Sequence, residues 1–302
     1  MHNFNLPCRQ LIQAATAVAM GGMAPTLWAQ SPASASRFQQ AVQQIETASG
    51  GRLGVAVLDT QTSAAYAYRG TERFALCSTF KFLAAALVLA RVDQGQEQLA
   101  RQITVQAADM VPYAPVTQPR VGGPPLTVAE LCEAAITVSD NPAANLLLHS
   151  FGGPQALTAY ARSLGDTATR LDRTEPHLNQ ATPGDPRDTT TPAAMLRTLQ
   201  QVVLGDALSP ASRAQLTRWL LDCKTGDRKL RALLPAGWRV ADKTGSGGHG
   251  SSNDIAVLWP PGRSPVLVTS YLTETTAAQE VRDQALAEVG LLVAALVLAG
   301  PG

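Results

Sequence analysis

Ser78 and Lys81 stand one helical turn apart at the head of a run, Phe80 to Ala90, that is otherwise entirely apolar. A helix apolar on every side belongs inside a core, so the rest of the chain must cover it on all faces. The same burial costs free energy for the lysine unless a partner or a function compensates. Ser78, three residues before Lys81, falls on the same helix face. A hydroxyl and an amine so placed read as a serine nucleophile with a base or proton relay beside it.

The chain is long enough to cover such a helix. Its 302 residues, 45 % hydrophobic with a net charge of +1, suffice for one large core or two moderate ones. Near-neutral charge gives no electrostatic footprint for nucleic acid, which is not expected as a partner. No run of like charges suggests a tail, and no internal period suggests a repeat array.

The N-terminus has a different composition. Arg9 precedes an apolar stretch from Leu11 to Met23, followed by Pro25 and small residues up to Ala29. That is the layout of a secretory signal peptide at residues 1–29, its apolar part short for a transmembrane helix, with a short uncleaved anchor as the alternative. Cleavage is expected after Ala29, with Ala33 or Ala35 as alternatives because Leu27 is a poor residue before the cut. A periplasmic protein without stable membrane insertion is expected, a monomer by default. Of the four cysteines, Cys8 would leave with the signal; Cys77, Cys132 and Cys223 remain, an odd number, so at least one thiol stays unpaired within the chain. Neither the cysteines nor the four scattered histidines have metal-ligand spacing, so neither metal nor cofactor is expected.

Beyond the signal, Arg37 to Ala48 reads as an amphipathic helix, and Leu53–Leu58 with Ala64–Tyr68 as a hairpin. The apolar helix follows from Ser78, and signals stay mostly helical to Cys223. Thr127 and Glu130 have capping-box spacing before Val128–Val138; further helices are expected at Pro142–His149 and Pro154–Leu164, and from Thr191 and Ser209. Between Leu171 and Thr189 the periodicity is lost to Pro, Gly, Asp and Thr, which marks a long functional loop. Strands return at Trp238–Thr244, Ile255–Trp259 and Val266–Leu272, before a closing helix at Thr276–Leu298. The expected fold class is α/β of the α+β kind, with a sheet-bearing part at 30–70 and 224–302 and an all-helical part at 71–223 carrying the 171–189 loop.

Three further clusters carry chemistry. Ser139-Asp140-Asn141 lies at a helix end; alone it is ordinary helix punctuation. Lys243-Thr244-Gly245 ends a strand and runs into Ser246-Gly247-Gly248; without glycine before the lysine and a helix after it, a nucleotide loop is disfavoured. Glu175-Pro176-His177-Leu178-Asn179 sits within the long loop, where a lone glutamate is usually just solvated.

Taken jointly, Ser-x-x-Lys, Ser-Asp-Asn, a loop glutamate and Lys-Thr-Gly, in this order and spacing, are the known motif set of class A serine β-lactamases. The chain resembles that family over essentially its whole mature length, including Arg173 and Asp188, where the family closes its omega loop with an ion pair. The resemblance implies a five-stranded antiparallel sheet flanked by helices plus the helical domain, as in penicillin-binding proteins, and hydrolysis of penicillins and cephalosporins. It assigns attack to Ser78, with backbone N–H groups of Ser78 and Ser246 as the oxyanion hole, and Lys81 bonded to the nucleophile. Lys81 or Glu175 acting through water is the acylation base. Glu175 with Asn179 would activate the water that releases the acyl group, and Ser139 would protonate the departing nitrogen. Asn141 would bind the substrate side-chain amide, Lys243, Thr244, Gly245 and Ser246 its carboxylate end, and Tyr113 would line the cleft edge. A cis bond before Pro176 is also a feature of the family.

Departures from the family pattern are informative. Ser252 stands where many members have a carboxylate-binding arginine; Lys229, with Arg228 adjacent, aligns best with the alternative supplier. Gly247 and Ala85 stand where relatives of Cys77 and Cys132 find disulfide partners, so no disulfide is expected by homology. Two rival readings share Ser-x-x-Lys and Lys-Thr-Gly: a D-alanyl-D-alanine peptidase and an acylated sensor module. Glu175 separates a lactamase from the peptidase, because a peptidase that traps β-lactams lacks the base that releases them; a sensor is usually fused to a membrane span, which the sequence does not suggest.

Overall fold

The computed structural model describes residues 1–2 and 32–299; the expected export signal falls almost wholly outside them. Helix α1 (Pro32–Ser49) leads into strands β1 (Arg52–Asp59) and β2 (Ala64–Tyr68). In the turn between them Asp59 accepts from Gln61 N and Thr62 Oγ1, both at 3.0 Å, the local bonding that suits aspartate to turns. After the helical section come β3 (Arg239–Ser246), β4 (Ser252–Trp259), β5 (Val266–Thr273) and α8 (Gln279–Ala299). The five strands form one antiparallel sheet in the order β2-β1-β5-β4-β3. Strands from the two ends of the sequence therefore pair directly, leaving β3 as an edge.

Both faces of this sheet are covered, and the two-residue period of the strands sorts their side chains. Val55, Val57, Ala256 and Leu258 pack with Phe38 and Val42 of α1 and Leu286, Val289 and Val293 of α8. Their neighbours Ala56, Leu58, Ile255 and Val257 face the other way, into the core of the helical section. Continuous apolar runs such as Val266–Val268 are what a doubly covered strand requires.

The helical section comprises α2 (Phe80–Asp93), α3 (Val128–Thr137), α4 (Asn141–Phe151), α5 (Gly153–Ser163), α6 (Pro192–Val203) and α7 (Pro210–Leu221). Side-chain caps set several starts: Thr127 and Glu130 form a reciprocal capping box for α3, while Asp140, Thr191 and Ser209 accept from backbone N–H groups of α4, α6 and α7. Helix α2 is buried from Phe80 to Ala86, Lys81 included. Ser78 itself lies in a short 3₁₀ turn, Cys77–Thr79, rather than in the α-helix that the apolar run suggests. Cys77 has φ 43° there, a left-handed backbone that turns Ser78 out of the helix line. Strand β4 begins at Ser252, three residues before its apolar run, because its polar start is paired on both sides. Among the described residues no helix is long and apolar enough to cross a membrane.

Candidate active site

The 3₁₀ turn at Ser78, the α3–α4 junction, the 171–189 loop and edge strand β3 converge on a cleft of about 880 Å³. Ser78, Tyr113, Ser139, Asn141, Asn179, Thr244, Gly245 and Ser246 line it. Lys81, Glu175 and Lys243 lie buried beneath these residues. All the side chains singled out from the sequence thus meet in one place.

Lys81 is fully buried, and its Nζ has four partners: Ser139 O at 2.7 Å, Ser139 Oγ at 3.3 Å, Asn141 Oδ1 at 2.6 Å and Glu175 Oε1 at 3.1 Å. Burial lowers its pKa, and the Glu175 charge opposes that shift. Ser78 Oγ is not among those partners. It lies 3.5 Å from Glu175 Oε1 instead, so the expected direct Lys81–nucleophile bond is replaced by one that runs through the glutamate. Glu175 is joined to Pro176 by a cis peptide bond. Its Oε2 accepts from Asn179 Nδ2, while Asn179 Oδ1 is buried without a protein partner.

On the other side, Lys243 Nζ donates to Ser139 Oγ at 3.1 Å and Thr244 O at 2.8 Å. Burial first, and the Lys81 charge in addition, bring its pKa down to about 8. Two ammonium groups therefore donate to one hydroxyl, filling the Ser139 lone pairs and leaving its own proton to donate into the cleft. Ser139 has φ 62°, and Asp140 beside it ties the loop down by accepting from Val116 N, Thr117 N and Thr117 Oγ1. Asn141 Nδ2 donates to Pro112 O at 2.8 Å, and its backbone N to Tyr113 O at 3.0 Å, so the segment carrying the exposed Tyr113 ring is held from behind.

Edge strand β3 approaches the nucleophile closely because of Gly245: a Cβ there would lie 3.1 Å from Leu76 O and 3.2 Å from Cys77 Cβ. Arg173 Nε meets Asp188 Oδ2 at 2.5 Å across the neck of the loop. Asp188 also accepts from the backbone N–H groups of Asp172 and Arg173. Cys77, Cys132 and Cys223 are buried free thiols, and burial raises Cys77 to about 12.

Three features fall outside the expected set. Asn145 brackets Glu175 through its main chain, accepting from Glu175 N and donating to Glu175 O, both at 2.9 Å. It lies one turn beyond Asn141 on α4, and that four-residue spacing was the signal available. Asn253 Nδ2 donates to Ala75 O and Leu76 O, pinning the strand leading to Ser78 onto the sheet. Lys229, expected to help hold a substrate carboxylate, has its Nζ on Ser252 Oγ at 2.9 Å, Gly245 O at 3.3 Å and Asn253 O at 3.4 Å. It therefore braces the β3–β4 pair while lining the cleft, where the exposed Arg228 guanidinium also stands, with Asp283 at 3.8 Å.

A serine on a turn, a buried ammonium beside it, a second hydroxyl between two lysines and a loop carboxylate are the groups that a serine acyl-transfer hydrolase needs. Known proteins give this class a family. The pattern of the Beta-lactamase enzyme family matches residues 37–297, and the chain belongs to that family, in class A. It is 48 % identical over 261 residues to β-lactamase CTX-M-8 of Citrobacter amalonaticus, covering 86 % of this chain and 89 % of the relative. It is 44 % identical over 282 residues to β-lactamase OXY-1 of Klebsiella oxytoca, covering 93 % and 95 %. Among solved structures, an ancestral (GNCA) class A β-lactamase superposes with a TM-score of 0.84 at 64 % identity, covering 86 % of this chain and 99 % of that one. The protein is a hydrolase acting on β-lactams, the activity that underlies resistance to them.

Proposed function

We propose that the protein is an exported, monomeric periplasmic enzyme that opens the β-lactam amide of penicillins and cephalosporins through an acyl-enzyme on Ser78. The carrying observation is the position of Glu175, with Oε1 3.5 Å from Ser78 Oγ and 3.1 Å from Lys81 Nζ, and Asn179 on its other oxygen. A water held by Glu175 and Asn179 Oδ1 is within reach of the nucleophile. Through that water Glu175 draws the proton from Ser78, and Lys81 stabilises the charge. The backbone N–H groups of Ser78 and Ser246 receive the oxyanion, and Ser139 delivers its free proton to the departing nitrogen; Lys81 replenishes it with the proton that Glu175 took from Ser78, which leaves Glu175 a carboxylate again. Asn141 meets the substrate's side-chain amide, and Lys243, Thr244 and Ser246 its carboxylate. Arg228 adds charge at the rim, and Tyr113 walls one side. The same water, activated again by Glu175, then cleaves the ester.

The test is Glu175→Ala mixed with benzylpenicillin and followed by intact-protein mass spectrometry, with Ser78→Ala as control. The variant should acylate, more slowly and with Lys81 as the remaining base, and then hold the adduct while turnover drops by about 10³. Rapid return to free enzyme would remove Glu175 from its assigned role. A single stoichiometric burst in the unaltered protein would favour the peptidase or sensor readings.

A further inference from the structure

Behind the catalytic cleft, and sharing no lining residue with it, the 171–189 loop closes a cavity of about 150 Å³ against the ends of β1 and β5. Four arginines face this cavity, Arg52, Arg73, Arg173 and Arg187, against two carboxylates, Asp185 and Glu274. Three of the guanidiniums have acidic partners. Arg52 pairs with Glu274 at 2.8 Å and Glu72 at 3.2 Å, Arg173 with Asp188 at 2.5 Å and Asp185 at 3.8 Å, and Arg187 with that same Asp185 at 2.8 Å.

Arg73 differs. Among the described residues its guanidinium has no carboxylate within ion-pair distance. It is fixed through Nη1 alone, donating to the neutral acceptors Ala168 O at 2.9 Å and Thr189 Oγ1 at 3.0 Å. Its position is therefore set while Nη2 and Nε keep their donors. A rigid fork of that kind, in a concave site and without a carboxylate of its own, matches an oxyanion held by two parallel hydrogen bonds. The opposite wall is the 181–187 turn, where nothing lies within 4 Å of a Cβ built at Gly184.

We propose that this cavity binds a small multivalent oxyanion, anchored on Arg73 with Arg187 closing on it through Nη1, and that occupation braces the 181–187 turn against the sheet. Inorganic phosphate and an organic polycarboxylate share the required chemistry, and the size of the cavity distinguishes them by affinity. Because the loop carries Glu175 at its other end, an occupied cavity would hold the catalytic glutamate's scaffold at both of its edges.

The test is thermal unfolding of the mature protein in phosphate and citrate titrations, with ionic strength held constant by sodium chloride. Binding should raise Tm with the logarithm of concentration above Kd, by about 3 °C at ten times Kd, with KM for a penicillin unchanged. Arg73→Ala should weaken the apparent affinity at least about tenfold, as expected for loss of a charge-assisted bidentate contact. Arg73 also ties Ala168 and Thr189, so two companions control for disturbed folding. Arg73→Lys keeps the charge without the fork, and Arg187→Ala leaves both ties in place; each should weaken binding. Phosphate outcompeting citrate, or the reverse, identifies the source. The absence of a rise beyond the sodium chloride control overturns the proposal, as does a rise that all three variants retain, which means an adventitious ion only. A rise that tracks competitive inhibition and survives the variants places the anion on Lys243 and Ser246 and overturns it equally.

Discussion

Asn145 shows how much of the chemistry rests on a side chain that touches no substrate. It satisfies both backbone polar groups of Glu175, each at 2.9 Å, in a place where unpaired groups cost about 1–3 kcal/mol. Asn145→Ala should therefore lower stability by about 2 kcal/mol in urea unfolding and cut deacylation, read as kcat, more than KM. An unchanged kcat would show that the loop holds Glu175 without it. Lys243 makes a second prediction, in pH. Its pKa falls from an ordinary 10.5 to about 8 in the folded protein, so between those values the unfolded chain binds the extra proton. Its contribution to stability consequently rises with pH across that window. Recognition of the substrate carboxylate has the opposite sign, because the cation is lost as pH passes about 8. The ratio kcat/KM should decline through that pH, and Lys243→Arg, charged throughout, should move the decline upward. A flat alkaline limb in the unaltered enzyme would refute the assignment. Lys243 was visible in the sequence because it stands in a short motif, whereas Asn145 stands in none. Lys229 shows the limit, since alignment placed it in the site but could not say that Ser252, Gly245 and Asn253 occupy its three protons.

The long loop joins those residues into one working element. It has little core of its own, with Leu178 its buried apolar anchor, and it is held at the neck by Asp188, which accepts Arg173 Nε and two backbone N–H groups. Removing Arg173 leaves that carboxylate buried with neutral partners only. Breaking a pair of this kind costs about 3–5 kcal/mol. Arg173→Ala should thus lower Tm by about 6 °C or more and slow deacylation, while acylation by Ser78, whose turn is pinned separately by Asn253, changes less. Equal loss in both half-reactions would mean that the neck supports the nucleophile as well. Helix and strand identities were readable from periodicity and caps, as Thr127 with Glu130 illustrates. What stayed hidden was the polar opening of β4 and the left-handed Cys77 before the nucleophile. Both are decided by contacts with distant strands and loops, which no local window contains.

At the scale of the molecule, the sheet and the helical section are stitched by more than the chain crossings between them. One hydrophobic cluster takes in Ala56, Ile255, Leu267 and Tyr271 from the sheet together with Phe80, Leu83, Leu147 and Leu199 from the helices. Polar ties cross the same boundary: Asn253 to Ala75 and Leu76, Thr269 Oγ1 to Pro192 O at 2.9 Å, and Gly248 N to Asn179 O at 2.8 Å. The cleft runs along this seam, so Ser78 from one side and the Ser246 N–H group of β3 from the other are aligned only when both are folded. The sheet side in turn gathers strands from both ends of the sequence and cannot complete itself before the helical segment is spanned. Calorimetry should accordingly record a single unfolding transition with calorimetric and van't Hoff enthalpies equal. Loss of nitrocefin turnover should coincide with it. The Glu175→Ala acyl-enzyme, which bridges the seam, should shift that transition as a whole. Two resolved transitions, or activity lost well below the first, would mean that the helical section melts on its own and that the shared core does not couple the two halves.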